Sequence, residues 1–272
     1  MILVNWRQPE LTIAAARHVA AQSFAADLII VDNGSGDGSA DIIERALPDV
    51  NVIRRTVNGG FGAGCNAGIA YAIEKRHEFV WLLNNDAAPR TDALAKLVAA
   101  MDDNTVGIVG SCLTEPHGKT PDHAGSIMNE MTLGCRSSLS AIELNAARWS
   151  WVSAASAVIR VSALKEIGSF DEHYFMYWED ADLCARLRKA GYRFAVVADS
   201  MVAHEAGTSS ADQSLNRYRW HLQSHRRYID AHMPLARVRR VLLTARYLVA
   251  ALRDLDRLRA RMILKDSSPA VP

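Results

Sequence analysis

The strongest constraint on the fold is an alternation of short apolar runs with amphipathic segments over residues 1–112. The apolar runs have the length and composition of buried strands, and the segments between them have helical periodicity. This βαβα order predicts an α/β, Rossmann-like fold, with a mainly parallel sheet flanked by helices on both faces. The predicted strands are 2–5, 28–32, 51–55, 79–84 and 106–112, and the predicted helices are 9–22, 39–47, 62–75 and 91–102.

The rest of the chain is less uniform. Residues 113–150 have weak periodicity and scattered Gly, Pro and His, which predicts irregular loops. Residues 211–265 have a helical pattern, with Pro234 between two helices. Between these regions the predicted elements are a strand at 151–161, helices at 162–168 and 179–191, and an extended segment at 193–204.

Charge narrows the class of protein. The chain has 272 residues and a net charge of +1, which gives no overall attraction to nucleic acid. Basic residues are concentrated in residues 214–265, which hold thirteen Lys and Arg against three Asp and Glu. A nucleic-acid-binding module built on this end is an alternative, but it lacks a recognised fold signature.

Cysteine spacing and hydropathy indicate the compartment. Cys65, Cys112, Cys135 and Cys184 lie far apart without a CxxC pair, which argues against a zinc cluster or a disulfide framework. The opening MILVNWRQPE lacks the basic region and long apolar run of a signal peptide. No stretch near the C-terminus approaches the roughly twenty apolar residues of a transmembrane helix. We therefore expect a cytoplasmic protein.

Asp32 ends a predicted strand, where the ligands of parallel sheets bind. Its carboxylate can accept a hydrogen bond from a base imide or a ribose hydroxyl, and the glycines of the turn 34–38 let the backbone approach a nucleotide. An ordinary strand-to-helix turn with Ser39 as N-cap explains the same residues.

The segment 58–68, NGGFGAGCNAG, is rich in glycine. No P-loop Lys follows it, and it comes after the third strand instead of the first, so a dinucleotide fingerprint fits poorly. We expect its glycines to admit a base or diphosphate to a helix N-terminus. Close packing of the helix on the sheet is the alternative.

A metal site is predicted where the strand 79–84 ends. Asp86 follows Asn84 and Asn85, and a carboxylate there suits Mg²⁺ or Mn²⁺, which would bridge the phosphates of a leaving nucleotide. One acid needs a distant ligand, and His204 at the end of the segment 193–204 is the candidate. A structural role for this lone histidine is the alternative.

An aromatic run at 174–178 precedes the acids Glu179, Asp180 and Asp182. Helical spacing puts Glu179 and Asp182 on one face, with Asp182 in reach of Arg186, while Asp180 points elsewhere. Acids in a first turn also balance the helix dipole, but that does not explain the aromatics. The aromatics could form a platform for a sugar ring beside a catalytic base.

In order and spacing, these four segments together resemble the family 2 inverting glycosyltransferases of the GT-A fold, especially the bacterial rhamnosyltransferase-like branch. The resemblance runs from residue 2 to about residue 204 and is most specific over 168–204. It implies that Asp32 contacts the nucleotide base and that Asp180 is the catalytic base.

The resemblance also implies that Asp86 is the final acid of a DxD-type metal motif with His204 as its remote ligand. Asn84 departs from that pattern because it replaces the first acid and removes a negative charge. The expected cofactor is a divalent cation, Mg²⁺ or Mn²⁺.

The predicted functional residues form two sets. The nucleotide-sugar-binding residues are predicted to be Val4, Asn5, Asp32, Gly34, Asn58, Gly62, Asn66, Asn84, Asn85 and Asp86. The residues of the acceptor and sugar pocket are predicted to be Trp151, Tyr177, Trp178 and Glu179.

The expected activity is non-processive, inverting transfer of a sugar from a nucleotide diphosphate to a hydroxyl of a glycan or lipid-linked acceptor in cell-surface polysaccharide synthesis. The rhamnosyltransferase-like branch makes dTDP-L-rhamnose the first donor to test and another UDP- or dTDP-sugar, such as UDP-galactofuranose, the second. A catalytically inactive nucleotide-sugar-binding protein is an alternative of a different class, motivated by Asn84.

The expected organisation has three parts. Residues 1–210 would form the GT-A catalytic domain, with a nucleotide-binding half at 1–112 and an acceptor-binding and catalytic half at 113–210. Residues 211–265 would form a basic amphipathic helical extension, and 266–272 a flexible tail. The extension suits either an anionic membrane surface, on the inner face of the cell membrane, or a homodimer contact.

Overall fold

A computed structural model describes residues 1–115, 121, 123–204, 214–253 and 263–264. Its strands are β1 Ile2–Asn5, β2 Ile29–Asp32, β3 Asn51–Arg54, β4 Phe79–Leu83, β5 Ala87–Pro89, β6 Val106–Thr114, β7 Gly125–Met128, β8 Cys135–Ser138, β9 Ser150–Val152, β10 Ser156–Arg160 and β11 Arg193–His204. Its helices are α1 Pro9–Ala20, α2 Ser39–Ala46, α3 Phe61–Glu74, α4 Ala93–Ala99, α5 Ala141–Ala146, α6 Val161–Ile167, α7 Glu179–Lys189, α8 Ser214–His232 and α9 Ala236–Arg253.

The larger sheet has eight strands in the order β3-β2-β1-β4-β10-β6-β11-β5. β10 runs antiparallel to both β4 and β6, and β5 runs antiparallel to β11. The pairings among β1, β2, β3 and β4, and that of β6 with β11, are parallel. The predicted mainly parallel α/β sheet is therefore confirmed.

Alternate residues of the buried strands face opposite sides of this sheet. Ile2 packs in a core layer that includes Ile69 of α3, whereas its neighbour Leu3 packs in a second layer with Ala16 of α1. All four side chains are almost fully buried. The helices thus cover both faces of the sheet and leave its edge at the strand carboxyl ends for polar residues.

The region 113–150 is more regular than predicted. β7, β8 and β9 form a separate antiparallel sheet in the order β8-β7-β9. The prediction of irregular loops is wrong there because β8 is short and mostly exposed and shows no apolar alternation. The strand predicted at 151–161 is in fact two strands, since the chain leaves the small sheet at Val152 and enters the large sheet at Ser156.

The C-terminal helices α8 and α9 meet at Pro234, as predicted. Tyr228 and Ile229 of α8 and Leu243 of α9 are buried in the main core. None of the described helices is long and apolar enough to cross a membrane. Residues 205–213, 254–262 and 265–272, which include the predicted domain boundaries and tail, lie outside the described residues.

Candidate active site

A hydrogen-bonded network joins the carboxyl ends of β1 and β2. Asn5 is fully buried and donates from Nδ2 to Asp32 Oδ1 at 2.7 Å. Ser35 Oγ donates to the same oxygen at 2.5 Å. Thr12 Oγ1 donates to Asn5 Oδ1 at 2.8 Å, and Asn85 Nδ2 donates to Thr12 Oγ1 at 3.2 Å. The network therefore brings three predicted nucleotide-binding residues together and fixes the orientation of Asp32.

Sequence reasoning missed Thr12 and Ser35. Thr12 is completely buried on α1, on the same face as Ala16 and Val19. A hydroxyl on the apolar stripe of an amphipathic helix was the available signal.

Ser39 is the first residue of α2 and not its N-cap. Gly38 is the cap residue, with φ 86°, and Ser39 Oγ bonds Asp37 instead.

The glycines of the segment 58–68 face protein instead of open space. A Cβ at Gly60 would lie 2.0 Å from the carbonyl oxygen of Phe175, and a Cβ at Gly62 would lie 3.0 Å from Cβ of Phe170. A Cβ at Gly64 would likewise lie 2.6 Å from Cγ1 of Val4. Close packing, the alternative interpretation, explains these glycines, and the role of Gly62 in nucleotide binding stays a prediction.

Three other predicted nucleotide-binding residues have structural contacts. Asn66 exchanges hydrogen bonds with the backbone of Phe170, donating to its oxygen and accepting from its nitrogen, both at 2.9 Å. Asn58 Oδ1 accepts from the Gly60 nitrogen. A Cβ at Gly34 would lie 2.4 Å from the Val57 carbonyl carbon. The amide of Asn66 is therefore occupied in fastening α3 to the segment before α7.

Asn84, Asp86 and His204 meet at one point because β5 pairs Ala87 with His204 in antiparallel register. Asp86 Oδ1 lies 3.2 Å from His204 Nε2, and Asn84 Nδ2 lies 3.0 Å from the same nitrogen. The side chains of Asp86 and His204 are each only 15% exposed. The predicted pair is thus adjacent, with Asn84 as a third member.

The chemistry of this group fits a divalent cation. Asp86 Oδ1 is buried and accepts no hydrogen bond from any described residue. Mg²⁺ binds oxygen ligands at about 2.0–2.1 Å in octahedral geometry, so adjacent ligands lie about 3 Å apart. The 3.2 Å separation of Asp86 Oδ1 and His204 Nε2 matches that spacing. The described residues contain no cluster of three or more His, Cys, Asp or Glu side chains, so water and phosphate oxygens would complete the shell.

Asp180 and Glu179 begin α7. Asp180 is partly buried, and its two oxygens accept from the backbone nitrogens of Ala181 at 2.8 Å and Ala154 at 3.4 Å. Burial raises the pKa of Asp180 above its usual range, against the effect of these hydrogen bonds. Glu179 is almost fully buried, and burial followed by the charge of Asp180 raises its pKa. The pair therefore combines an ionisable acid with a neighbour that keeps its proton.

A short loop between β9 and β10 connects the acid to the candidate cation site. Ala154 donates its backbone N–H to Asp180. The next residue, Ala155, accepts at its carbonyl from the Asn84 nitrogen at 2.9 Å. These backbone contacts between distant segments leave no side-chain signal in the sequence, which is why they were not predicted.

The two indoles predicted for the acceptor and sugar pocket lie in the core. Trp178 is 4% exposed and stacks on His225, with ring centroids 3.8 Å apart. Trp151 is also buried, 5.1 Å from Trp178. Tyr177 is half-buried against His221. α8 covers Trp178, so this member of the aromatic run offers no open face to a sugar ring.

The fold is shared with a solved glycosyltransferase. The structure of the mannosyltransferase PcManGT from Pyrobaculum calidifontis, in complex with GDP-Man and Mn²⁺, aligns with a TM-score of 0.61. The alignment covers 99% of this chain and 79% of that chain, at 18% sequence identity. The fold is the GT-A fold of nucleotide-sugar-dependent glycosyltransferases.

Residues 7–168 match the family Glycosyl transferase family 2, and the chain belongs to that family. It is 27% identical over 237 residues to an N-acetylglucosaminyl-diphospho-decaprenol L-rhamnosyltransferase of Mycobacterium tuberculosis, covering 77% of this chain and 76% of the relative. It is 26% identical over 188 residues to the dTDP-rhamnosyl transferase RfbF of Shigella flexneri, covering 67% and 61%. The protein is therefore a family 2 glycosyltransferase with rhamnosyltransferase relatives.

Proposed function

We propose that this glycosyltransferase moves L-rhamnose from dTDP-L-rhamnose, with inversion and without processivity, to a hydroxyl of a glycan or lipid-linked acceptor in cell-surface polysaccharide synthesis. The observation that supports it most is the loop that bonds Asp180 through Ala154 and Asn84 through Ala155. A single displacement needs a base on the acceptor side and positive charge on the leaving-group side, and this loop holds both in a fixed relation.

Asp180 is the proposed catalytic base. Its raised pKa makes it a stronger proton acceptor than an exposed aspartate while it stays ionised near neutral pH. It removes the proton of the acceptor hydroxyl as that oxygen bonds to the anomeric carbon and the bond from carbon to the diphosphate breaks. Asp86 and His204 would hold Mg²⁺ or Mn²⁺, which supplies positive charge to the departing diphosphate. Asp32 would bind the nucleotide base.

The donor and acceptor assignments rest on the relatives. One is named as a dTDP-rhamnosyl transferase and the other as an N-acetylglucosaminyl-diphospho-decaprenol L-rhamnosyltransferase. A divalent cation is supported by the fit of Asp86 and His204 and by the Mn²⁺ in the mannosyltransferase structure. Mg²⁺ and Mn²⁺ are both consistent with a carboxylate and an imidazole.

We further propose that α9 lies on the inner face of the cell membrane. Its outward face carries an exposed apolar row, the α9 stripe, with Arg237 and Arg246 on its two sides. Arginines beside exposed apolar side chains suit an anionic lipid surface. The α9 stripe comprises Val238, Val241, Leu242, Ala245 and Val249. The alternative is a homodimer through the same stripe, which would appear as self-association of the protein instead of binding to membranes.

The deciding experiment is a panel of dTDP- and UDP-sugars, including UDP-galactofuranose, assayed for release of nucleotide diphosphate with glycan and lipid-linked acceptors. We expect turnover of dTDP-L-rhamnose that EDTA abolishes and Mn²⁺ or Mg²⁺ restores, and that Asp180→Asn lowers by about a thousandfold. Turnover of UDP-sugars alone would reject the donor. Thermal stabilisation by a donor without turnover would indicate a nucleotide-sugar-binding protein.

A further inference from the structure

A cavity of about 660 Å³ lies between α8, α9 and the start of β8. Its size is within the range of small-molecule sites, which is about 300–1,000 Å³. Most of its lining is apolar or aromatic and includes Leu133, Trp178, Tyr218, Tyr247, Val249 and Ala250. The cavity is separate from the polar network at the strand carboxyl ends described above.

His225 adds a buried aromatic ring to the cavity wall. Its ring is 2% exposed, and neither ring nitrogen has a hydrogen-bond partner among the described residues. Both nitrogens are closed to solvent and the ring stacks on Trp178, so His225 contributes an aromatic wall instead of a hydrogen-bonding group. His221, also on the wall, is occupied instead by the Tyr247 hydroxyl at 2.5 Å.

Arg246 adds positive charge to the same wall. Its guanidinium lies against Gly134, with Nη2 3.0 Å from the position that a Cβ would occupy. No carboxylate in the described part of the chain forms an ion pair with it. A cation that pairs with none of the described carboxylates, beside an apolar cavity, suits an amphiphile that has a hydrocarbon chain and an anionic head.

The cavity joins two functional parts of the molecule. Ala245 and Val249 belong both to its wall and to the exposed α9 stripe. Trp178 forms another part of the wall and directly precedes Glu179 and Asp180 on α7. A chain entering beside α9 would therefore reach the residue that caps the helix of the proposed base.

We propose that this cavity binds the hydrocarbon chain of a phosphorylated lipid acceptor, with Arg246 on the phosphate side. The identity of the chain as acceptor rests on the proposed function, but its binding does not. The cavity would hold the acceptor lipid while its sugar hydroxyl lies at Asp180. The commitment to an acceptor lipid, instead of a bulk membrane lipid, follows from the position of Trp178 beside the acids of α7.

Cys135 provides a binding test on the unaltered protein. It lines the cavity and is the exposed cysteine of the four, since Cys65, Cys112 and Cys184 are buried. Farnesyl phosphate below its critical micelle concentration should slow maleimide labelling of Cys135, read by peptide mass spectrometry, at least about threefold. Farnesol should protect less because it lacks the charge for Arg246. Unchanged labelling, or equal protection by inorganic phosphate alone, would overturn the proposal.

Ala250→Trp should fill the cavity and abolish this protection, whereas Ile142→Trp, at an exposed position of α5 outside the cavity, should keep it. Protection retained in Ala250→Trp would contradict the assigned site. If thermal unfolding shows that Ala250→Trp does not fold, Ala245→Trp takes its place.

A kinetic comparison separates acceptor from membrane lipid. Ala250→Trp should raise KM for a lipid-linked acceptor about tenfold and leave KM for the donor and for a water-soluble acceptor of the same sugar unchanged. Equal protection of Cys135 by phosphatidylglycerol vesicles, together with unchanged KM for the lipid-linked acceptor, would overturn the acceptor assignment. If no donor supports transfer while farnesyl phosphate still protects Cys135, the proposed function fails and the cavity remains a lipid site.

Discussion

Asp180 is subject to two opposing influences on its pKa. Burial raises the pKa, while the N–H groups of Ala154 and Ala181 stabilise the carboxylate and lower it, and burial is the larger effect. A general base works only when ionised. The pH dependence of activity therefore follows the pKa that Asp180 has in the folded protein.

We predict an acid limb in the pH profile of transfer that lies clearly above pH 4, the usual aspartate range. Activity should fall as the pH drops through the raised pKa of Asp180, because protonation removes the base. Glu179→Gln should leave this limb in place, since Glu179 is still protonated while Asp180 ionises. A limb near pH 4, or one that Glu179→Gln moves by more than about one unit, would contradict the assignment.

Asn84 is the residue where charge is missing from the proposed cation site. Asn84→Asp would put a carboxylate next to His204 Nε2, which is now 3.0 Å from the Asn84 amide. We predict that the Mn²⁺ concentration for half-maximal activity falls about tenfold. Asn85→Asp adds the same charge one residue away, on a side chain that bonds Thr12, and should have a smaller effect. Equal effects of the two variants would show a general charge effect.

At the scale of elements, glycine packing joins the start of α3 to the segment before α7. The carbonyl of Phe175 would lie 2.0 Å from a Cβ at Gly60, and Gly60 has φ 91°. Gly36 also has a positive φ, 64°, but open space around it. Substitutions at these two glycines therefore distinguish the effect of a steric clash from the effect of backbone strain.

We predict that Gly60→Ala lowers the free energy of unfolding by more than about 3 kcal/mol, because clash adds to strain. Gly36→Ala should cost only about 1–2 kcal/mol, the price of a left-handed residue with a side chain. Chemical denaturation of both variants measures the difference. Similar losses would show that packing against Phe175 is not what requires Gly60.

Helix α7 itself is joined to α8 through Asp182. Its carboxylate is buried and bonds His232 Nε2 at 2.7 Å and Arg186 Nε at 2.8 Å, the latter as the sequence spacing predicted. Removing one member of a buried ionic group leaves the others unpaired.

Asp182→Ala should therefore lower stability by about 3–5 kcal/mol. Asp230→Ala, which breaks only the exposed contact with Arg240, should change it by less than about 1 kcal/mol. Thermal unfolding of both proteins tests this. A small loss for Asp182→Ala would mean that α8 is held to α7 mainly by its apolar side chains.

Sequence reasoning succeeded where the signal was local. Buried strands such as β2 and β4 have apolar runs, and Asp86 and His204 stand at strand ends. It failed where distant segments meet: the packing of Gly62 on Phe170 and the loop that bonds Asp180 depend on tertiary contacts with no periodicity of their own. The burial of Trp178 was not predicted for the same reason, because α8 covers it.

At the scale of the whole molecule, the α9 stripe is the proposed contact between the enzyme and a membrane. Val241 is 69% exposed on the stripe, and Val57 is 66% exposed far from it in sequence, before α3. The two valines therefore make a matched pair for a test of membrane binding.

We predict that Val241→Asp lowers binding to phosphatidylglycerol vesicles about tenfold, since burying one valine contributes about 1.5 kcal/mol or more. Val57→Asp should leave binding unchanged. Co-sedimentation with vesicles measures the binding of both variants. If the unaltered protein self-associates without vesicles and Val241→Asp weakens that association, the stripe is a dimer contact instead.

The pairing of β5 with β11 has a consequence for the timing of synthesis. Asn84 and His204 are 120 residues apart in the chain. At a translation rate of about 5–20 residues per second, the second half of the proposed cation site is made about 6–24 seconds after the first. A nascent chain thus has no complete site until the last strand of the large sheet has emerged. Tight cation binding would therefore report that the large sheet is complete, at a stage when α8 and α9 have still to be added to the core.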